Sequence, residues 1–194
     1  MPKRLPAHMD AQRERILRAT LACISELGIE RTSIAAIGRA ARLSTGALYT
    51  HFPNKEAMVA EALRFATVED APMPESWTAL RDGVSSTSDD GLFDTALVAR
   101  AQLQIFASCI RAGPLHDLLK PMIARSLDQI VDHLATMERD GRLRLRMTPH
   151  RTALALGALR DGYFWMGLAL DRPMAEVEAD LKAAIDCLVV SAAS

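Results

Sequence analysis

The chain has 194 residues, 49% of them hydrophobic and only 5% aromatic, with 23 Lys and Arg against 24 Asp and Glu for a net charge of −1. It is too apolar for a disordered chain, and its apolar runs are too short and too interrupted by charge for a membrane-spanning one. Cys23, Cys109 and Cys187 are odd in number and far apart, with no C-x-x-C pair, which argues against a disulfide framework or a cysteine zinc site and fits a reducing compartment. The N-terminal Met1-Pro2-Lys3-Arg4-Leu5-Pro6 has no apolar stretch behind its basic residues, so a cytoplasmic chain is expected. A near-neutral total argues against a nucleic-acid partner only if charge is spread evenly, and it is not. Residues 1–64 hold ten basic and six acidic side chains, a net of +4, and the rest of the chain carries −5.

In chain order, almost every periodic stretch predicts helix. From Asp10 to Leu27, Ile16, Thr20, Ile24 and Leu27 form one apolar stripe, and Gly28 ends it. Ser33 caps a second helix carrying Ile34, Ile37 and Ala41. Ser44 opens a very short third helix that runs through Leu48 to about His51. Asn54 caps a fourth, with Glu56 in the first turn where the helix dipole favours an anion, reaching toward Asp70. Ala71–Asp90 reads as a connector with one helix around Trp77. Leu92, Ala96, Ala99, Leu103, Phe106 and Ile110 predict a long helix ended by Gly113-Pro114, after which Pro121 kinks or divides the next stretch. Ile123, Leu127, Ile130, Leu134 and Met137 mark another stripe. Arg142–Arg146 alternates like a strand but reads as a solvated loop for want of a partner. Pro149 opens a helix to about Leu170, and Val177, Leu181, Ala184, Ile185 and Leu188 mark a last one. The expectation is an all-α chain of about nine helices.

Helix, three-residue break and short helix between Ser33 and His51 is the shape of a helix-turn-helix. Ile37, Gly38, Ala41, Leu43 and Leu48 are apolar or small where the two helices cross. Gly38 costs about 1 kcal/mol relative to Ala in a helix interior, which close approach of the next helix would offset. The outer side of the short helix offers Thr45, Ala47, Tyr49, Thr50 and His51, short polar groups and one phenol suited to a groove wall.

Thr32-Ser33-Ile34-Ala35-Ala36-Ile37, Leu43–Phe52 (Leu-Ser-Thr-Gly-Ala-Leu-Tyr-Thr-His-Phe) and Asn54-Lys55-Glu56, with Arg15-Ile16-Leu17 and Glu26-Leu27-Gly28 before them, resemble the TetR family of bacterial transcriptional regulators over the first third of the chain. The resemblance implies that Thr45, Gly46 and Ala47 approach bases or backbone in the major groove. It implies that Tyr49, Thr50 and His51 meet phosphates or base edges, and that Ser33 and Lys55 hold phosphates beside helix N-termini, which are anion sites in their own right. Ser44 caps the recognition helix within the same surface. Arg42 departs from the pattern, standing where the family usually has Gly; it either strains the turn or reaches a phosphate. Lys3-Arg4 form a basic arm that either enters the minor groove or frays.

The body is read as effector and dimer region. The helix after Pro149 is apolar nearly all round, so it is expected to be buried on every face, one of them against a second subunit. Family members pair through their last two long helices. On that resemblance Ala153, Leu156, Gly157, Phe164, Leu181, Ile185 and Leu188 are expected at a homodimer interface. Trp77, Phe93, Gln104 and Phe106, with Cys109, Met122, Tyr163 and Trp165, are the large or polarizable residues able to line an effector cavity. Gln104–Ser108 loosely resembles the choline-responsive branch of the family, which would suit a cationic ligand held by aromatic faces. The domains expected are a DNA-binding head over residues 1–52, a connecting helix over 53–70, and an effector and dimer body over 71–194.

These features imply a ligand-responsive regulator released from a palindromic double-stranded operator by a small molecule, with no membrane, metal or cofactor. The alternatives are an activator of the same fold or a helical ligand-binding adaptor that does not touch DNA. No G-x-G-x-x-G, P-loop, H-E-x-x-H or G-x-S-x-G motif supports an enzyme.

Overall fold

The computed structural model describes residues 6–67, 73–85 and 94–190. Among them the chain forms nine α-helices: α1 (Pro6–Leu27), α2 (Ile34–Ala41), α3 (Thr45–Tyr49), α4 (Lys55–Thr67), α5 (Trp77–Ser85), α6 (Thr95–Ser108), α7 (Pro114–Arg139), α8 (Pro149–Ala169) and α9 (Met174–Asp186). Helix is the only regular secondary structure among the described residues, as the periodicity predicts. The basic arm at Lys3-Arg4 lies outside them.

The chain divides into two compact units. The first takes in residues 1–67 and 100–120, the second 68–99 and 121–194. The chain therefore crosses between them after α4, within α6, and within α7 at Pro121. In the first unit α1 packs on α2 and α4, and α2 on α3. Ile16, Leu21 and Ile24 of α1, Ile37 of α2, Leu48 of α3 and Met58 of α4 are fully buried there. The second unit is built around Leu134, Leu156, Phe164, Val177, Leu181 and Ile185, with Leu80 of α5 and Leu145 joining the same cluster. Helices α8 and α9 pack so closely at Gly167 that a Cβ there would lie 2.5 Å from a methyl of Val177.

The structure corrects five expectations. The helix of Leu92–Ile110 ends at Ser108, and Ile110 is 86% exposed. Pro114 starts α7 instead of closing α6, because proline's fixed φ and missing N–H suit the first helical turn. Pro121 then sits inside α7 without dividing it. The Arg142–Arg146 stretch does find a partner: Leu145 bridges antiparallel to Val189, Arg146 N donates to Leu188 O at 3.0 Å, and Val190 N donates to Arg144 O at 2.8 Å. Finally, α8 is not buried all round. Leu154, Ala158 and Trp165, spaced by one and two turns, face outward along one stripe, with Met166 and Leu170 also exposed.

Candidate nucleic-acid interface

The starts of α2, α3 and α4 are each held by a capping side chain. Ser33 Oγ accepts from Ala36 N at 3.1 Å, Ser44 Oγ from Ala47 N at 3.2 Å, and Asn54 Oδ1 from Ala57 N at 2.8 Å. The caps leave the other first-turn N–H groups of α2, α3 and α4 without intrahelical partners, which is what makes such ends receptive to phosphate.

The turn between α2 and α3 is a Schellman closure. Arg42 N donates to Arg39 O at 3.1 Å and Leu43 N to Gly38 O at 2.9 Å, with Arg42 itself left-handed at φ 54° and ψ 46°. Arg42 therefore does occupy the conformation in which glycine is favoured, at a strain of about 1 kcal/mol. The returning chain lies on Gly38, where a Cβ would stand 2.9 Å from Leu43 O. This close approach gives Gly38 its place in a helix interior.

The outer surface of this region carries most of the residues singled out from sequence. Ser33, Arg42, Ser44, Thr45, Gly46, Tyr49 and Thr50 are exposed, and Ala47, His51 and Lys55 are half-buried. Thr50 Oγ1 donates to Ala47 O at 2.6 Å, so its hydroxyl hydrogen is already used within the chain. Lys55 Nζ donates to Ile29 O at 2.7 Å. The His51 ring lies 6.4 Å from Phe52 and tilted 42° to it. A brace not read from the sequence holds this end of the helix-turn-helix. Arg13 of α1 donates to His51 O at 3.4 Å, pairs with Glu61 at 2.9 Å and stacks 4.6 Å over the Phe52 ring. The signal available was Arg13 one helical turn before Leu17, but pairing across to α4 is a tertiary contact that spacing does not reveal.

The residues expected to line an effector cavity are drawn from both units. Gln104, Phe106 and Cys109 belong to the first unit and are half-buried; Trp77, Met122, Tyr163 and Trp165 belong to the second. Phe93 lies outside the described residues. Burial pushes the Cys109 thiol up from its ordinary value, and its Sγ donates to Ile105 O at 3.1 Å. Trp77 Nε1 donates to Asp186 Oδ1 at 3.1 Å. Trp165 is 61% exposed, which removes it from the lining of an enclosed cavity in a single chain. Of the residues expected at the dimer interface, Ala153, Leu156, Phe164, Leu181 and Ile185 are buried in the core of their own unit, and Leu188 is half-buried. They face inward because they form the packed stripe between α8 and α9, whereas Gly157 does lie on the outer side of α8. Among the described residues no three His, Cys, Asp or Glu side chains come together to hold a metal ion, and no helix is long and apolar enough to cross a membrane.

A capped helix-turn-helix on an all-α chain, with an excess of basic residues around it, defines a DNA-binding transcriptional regulator. Residues 16–62 match the model of the bacterial regulatory proteins of the tetR family. The chain is 31% identical over 99 residues to the HTH-type transcriptional regulator AqdR of Rhodococcus erythropolis, a match covering 51% of this chain and 44% of that one, so it spans less than half the length of that relative. It is 28% identical over 182 residues to the HTH-type transcriptional regulator BetI of Proteus mirabilis, covering 87% and 86% of the two chains. Its fold matches a TetR-family transcriptional regulator from Rhodococcus sp. with a TM-score of 0.75 at 21% identity, over 93% of this chain and all of the other. It also matches a transcriptional regulator from Saccharomonospora viridis solved with choline, with a TM-score of 0.69 at 19% identity, over 94% and 100%. Residues 16–62 therefore carry the region by which the bacterial regulatory proteins of the tetR family are defined, and the rest of the chain shares the fold of TetR-family structures.

Proposed function

We propose that the protein is a homodimeric, ligand-responsive repressor that leaves a palindromic operator when a small molecule binds its body. The single observation that carries the reading is the exposed surface of α3 between two capped helix starts. Ser33, Thr45, Gly46, Ala47 and Tyr49 stand on it with Lys55 at its edge and no large apolar side chain in the way. Thr45, Gly46 and Ala47 are short enough to bring the α3 backbone against base edges, and Ser33, Arg42, Tyr49 and Lys55 anchor phosphates around it. Thr50 and His51, at the C-terminal end of α3, lie at the rim of this contact. The head at residues 1–52 and the linking helix at 53–70 serve this contact, and 71–194 supply effector and dimer functions. Binding rather than catalysis is the activity, exercised in the cytoplasm where the chromosome lies.

The dimer forms through the outer faces of α8 and α9. Leu154, Gly157, Ala158 and Trp165 on α8 meet the exposed alanine stripe Ala175, Ala179 and Ala183 on α9, whose small side chains let helices approach closely in a four-helix bundle. A twofold pair of heads reads half-sites about 34–36 Å apart, or a multiple of it. Release follows if the effector binds better to a state whose head spacing no longer fits the operator, since a ligand shifts an equilibrium only by its differential affinity. The helices α4, α6 and α7, which lead to or run through the boundary of the two units, are the routes for that coupling.

The test is selection of bound fragments from the chromosomal DNA of the source organism, followed by affinity measurement. Enrichment of a palindrome, with Thr45→Val altering which bases are tolerated at one position of each half-site, supports the reading. No enrichment over random fragments overturns it.

A further inference from the structure

The crossing of α1 and α2 leaves an open groove of about 480 Å³ on the first unit, lined by Ala19 and Ala22 of α1, Ala40 and Ala41 of α2, and the arginines Arg15, Arg18 and Arg42. Among the described residues no acidic side chain lines it. The three arginines differ in what they already hold. Arg18 is engaged: it donates twice to Glu14 Oε1, at 2.7 and 2.9 Å, and its guanidinium carbon lies 5.9 Å from the centre of the Phe65 ring. Arg15 and Arg42 are exposed, and neither guanidinium has a hydrogen bond, ion pair or ring contact among the described residues. Two positive charges therefore stand over an alanine floor with no counter-charge of their own. Arg42 does so from a left-handed backbone at φ 54°, where glycine would be unstrained and where no contact of its side chain within the described chain offsets the strain.

Resting on the reading of the head as DNA-binding, we propose that this groove is a second backbone site: the Arg15 and Arg42 guanidinium groups hold phosphodiesters of the strand opposite the one held by Ser33 and Lys55, and the alanine floor accepts the deoxyribose between them. Ser33 caps the start of α2, and Lys55 is tied to Ile29 in the loop that leads into it, so these two anchors share one end of α2. The groove stands at the other end. With 8 residues in α2, its two caps Ser33 and Arg42 are about 13 Å apart along the helix axis. The major groove of B-DNA is about 12 Å wide, with a phosphate backbone along each edge. An α2 anchored to one backbone at Ser33 thus brings Arg42 to the other, beside the start of α3 at Thr45. A guanidinium fork pairs with two oxygens of one phosphate, and it needs no further neutralisation there. The site adds α1, through Arg15, to a contact surface otherwise drawn from α2, α3 and α4.

The experiment is fluorescence anisotropy of the full-length protein with a labelled duplex of mixed sequence, over a range of salt concentrations. Arg15→Gln lowers the salt slope of log K by about one per head and weakens binding about tenfold per head at about 0.1 M salt. Arg15→Lys, which keeps the charge, recovers most of both. Arg144→Gln, which removes an exposed charge from the second unit, changes neither. Ethylation interference on a genomic fragment selected by the protein then assigns the strand. Arg15→Gln erases interfering phosphates on one strand of each half-site, and Lys55→Gln erases them on the other. If Arg15→Gln fails to fold, Arg42→Gln carries the same measurements. A wild-type slope and affinity in Arg15→Gln and Arg42→Gln, an equal effect of Arg144→Gln, or loss on the same strand in Arg15→Gln and Lys55→Gln overturns the proposal while the head remains a DNA-binding one. Failure of the wild type to bind any duplex overturns both.

Discussion

The Lys55 ammonium donates to the carbonyl oxygen of Ile29 at 2.7 Å, tying the first residue of α4 to the loop that leads into α2. An ammonium has three donors, so one fixes the side chain and two remain for a phosphate. Lys55→Gln should therefore weaken binding to every duplex about equally and lower the salt slope of log K by about one for each phosphate it no longer neutralises. Fluorescence anisotropy at several salt concentrations measures it. A weakening confined to one DNA sequence would place Lys55 on a base instead.

Gly38→Ala should destabilise the head although Ala is the better helix former. The new methyl would lie 2.9 Å from Leu43 O, a backbone atom that cannot step aside without opening the Schellman turn. A net loss of about 1–3 kcal/mol is expected in urea unfolding.

Arg42→Gly should act in the opposite sense on stability. It relieves a left-handed backbone at φ 54°, so a gain of up to about 1 kcal/mol is expected. If Arg42 also holds a phosphate, the same variant binds DNA more weakly with a shallower salt slope, and the two effects separate in one protein.

Ala158→Glu together with Ala179→Glu should yield a monomer by sedimentation velocity, because both residues are exposed on the outer stripes of α8 and α9 and neither packs the core of its own chain. Far-UV circular dichroism should remain that of the wild type. A dimer that survives both charges would place the interface elsewhere.

Acid should loosen the attachment of α5 to α9. Burial pushes the Asp82 carboxyl up, but its hydrogen bonds and ion pairs with Arg81 at 3.0 Å and Lys182 at 3.4 Å outweigh this and hold it below its ordinary value. A depressed carboxyl contributes stability that is present above its unfolded pKa and lost as pH falls through the lower folded one. Stability should thus fall more steeply between pH 5 and 3 in wild type than in Asp82→Asn; the group is exposed, so the difference is small. Equal slopes in pH-dependent unfolding would contradict the pairing.

The head was legible because its signals are local. Ser33, Ser44 and Asn54 are caps readable from a polar residue ahead of an apolar period, and each cap forms as expected. Gly38 and Arg42 were readable as a close approach and a turn, and the backbone supplies both. The body was less legible because its faces are assigned by tertiary packing. α8 carries apolar residues on all sides, so composition does not tell Leu156, which is buried, from Leu154, which is exposed. Gly113-Pro114 signals a break but not which side of it is helical. The bridge at Leu145 needs Val189, 44 residues later, and no local rule joins them.

The central claim is that two heads read one twofold operator, and footprinting of a selected genomic fragment by the intact protein tests it most directly. The account predicts two protected half-sites related by a twofold axis, centred about 10 base pairs or a multiple apart, and lost together in Lys55→Glu. A single protected half-site, or protection that survives Lys55→Glu at physiological salt, would contradict it.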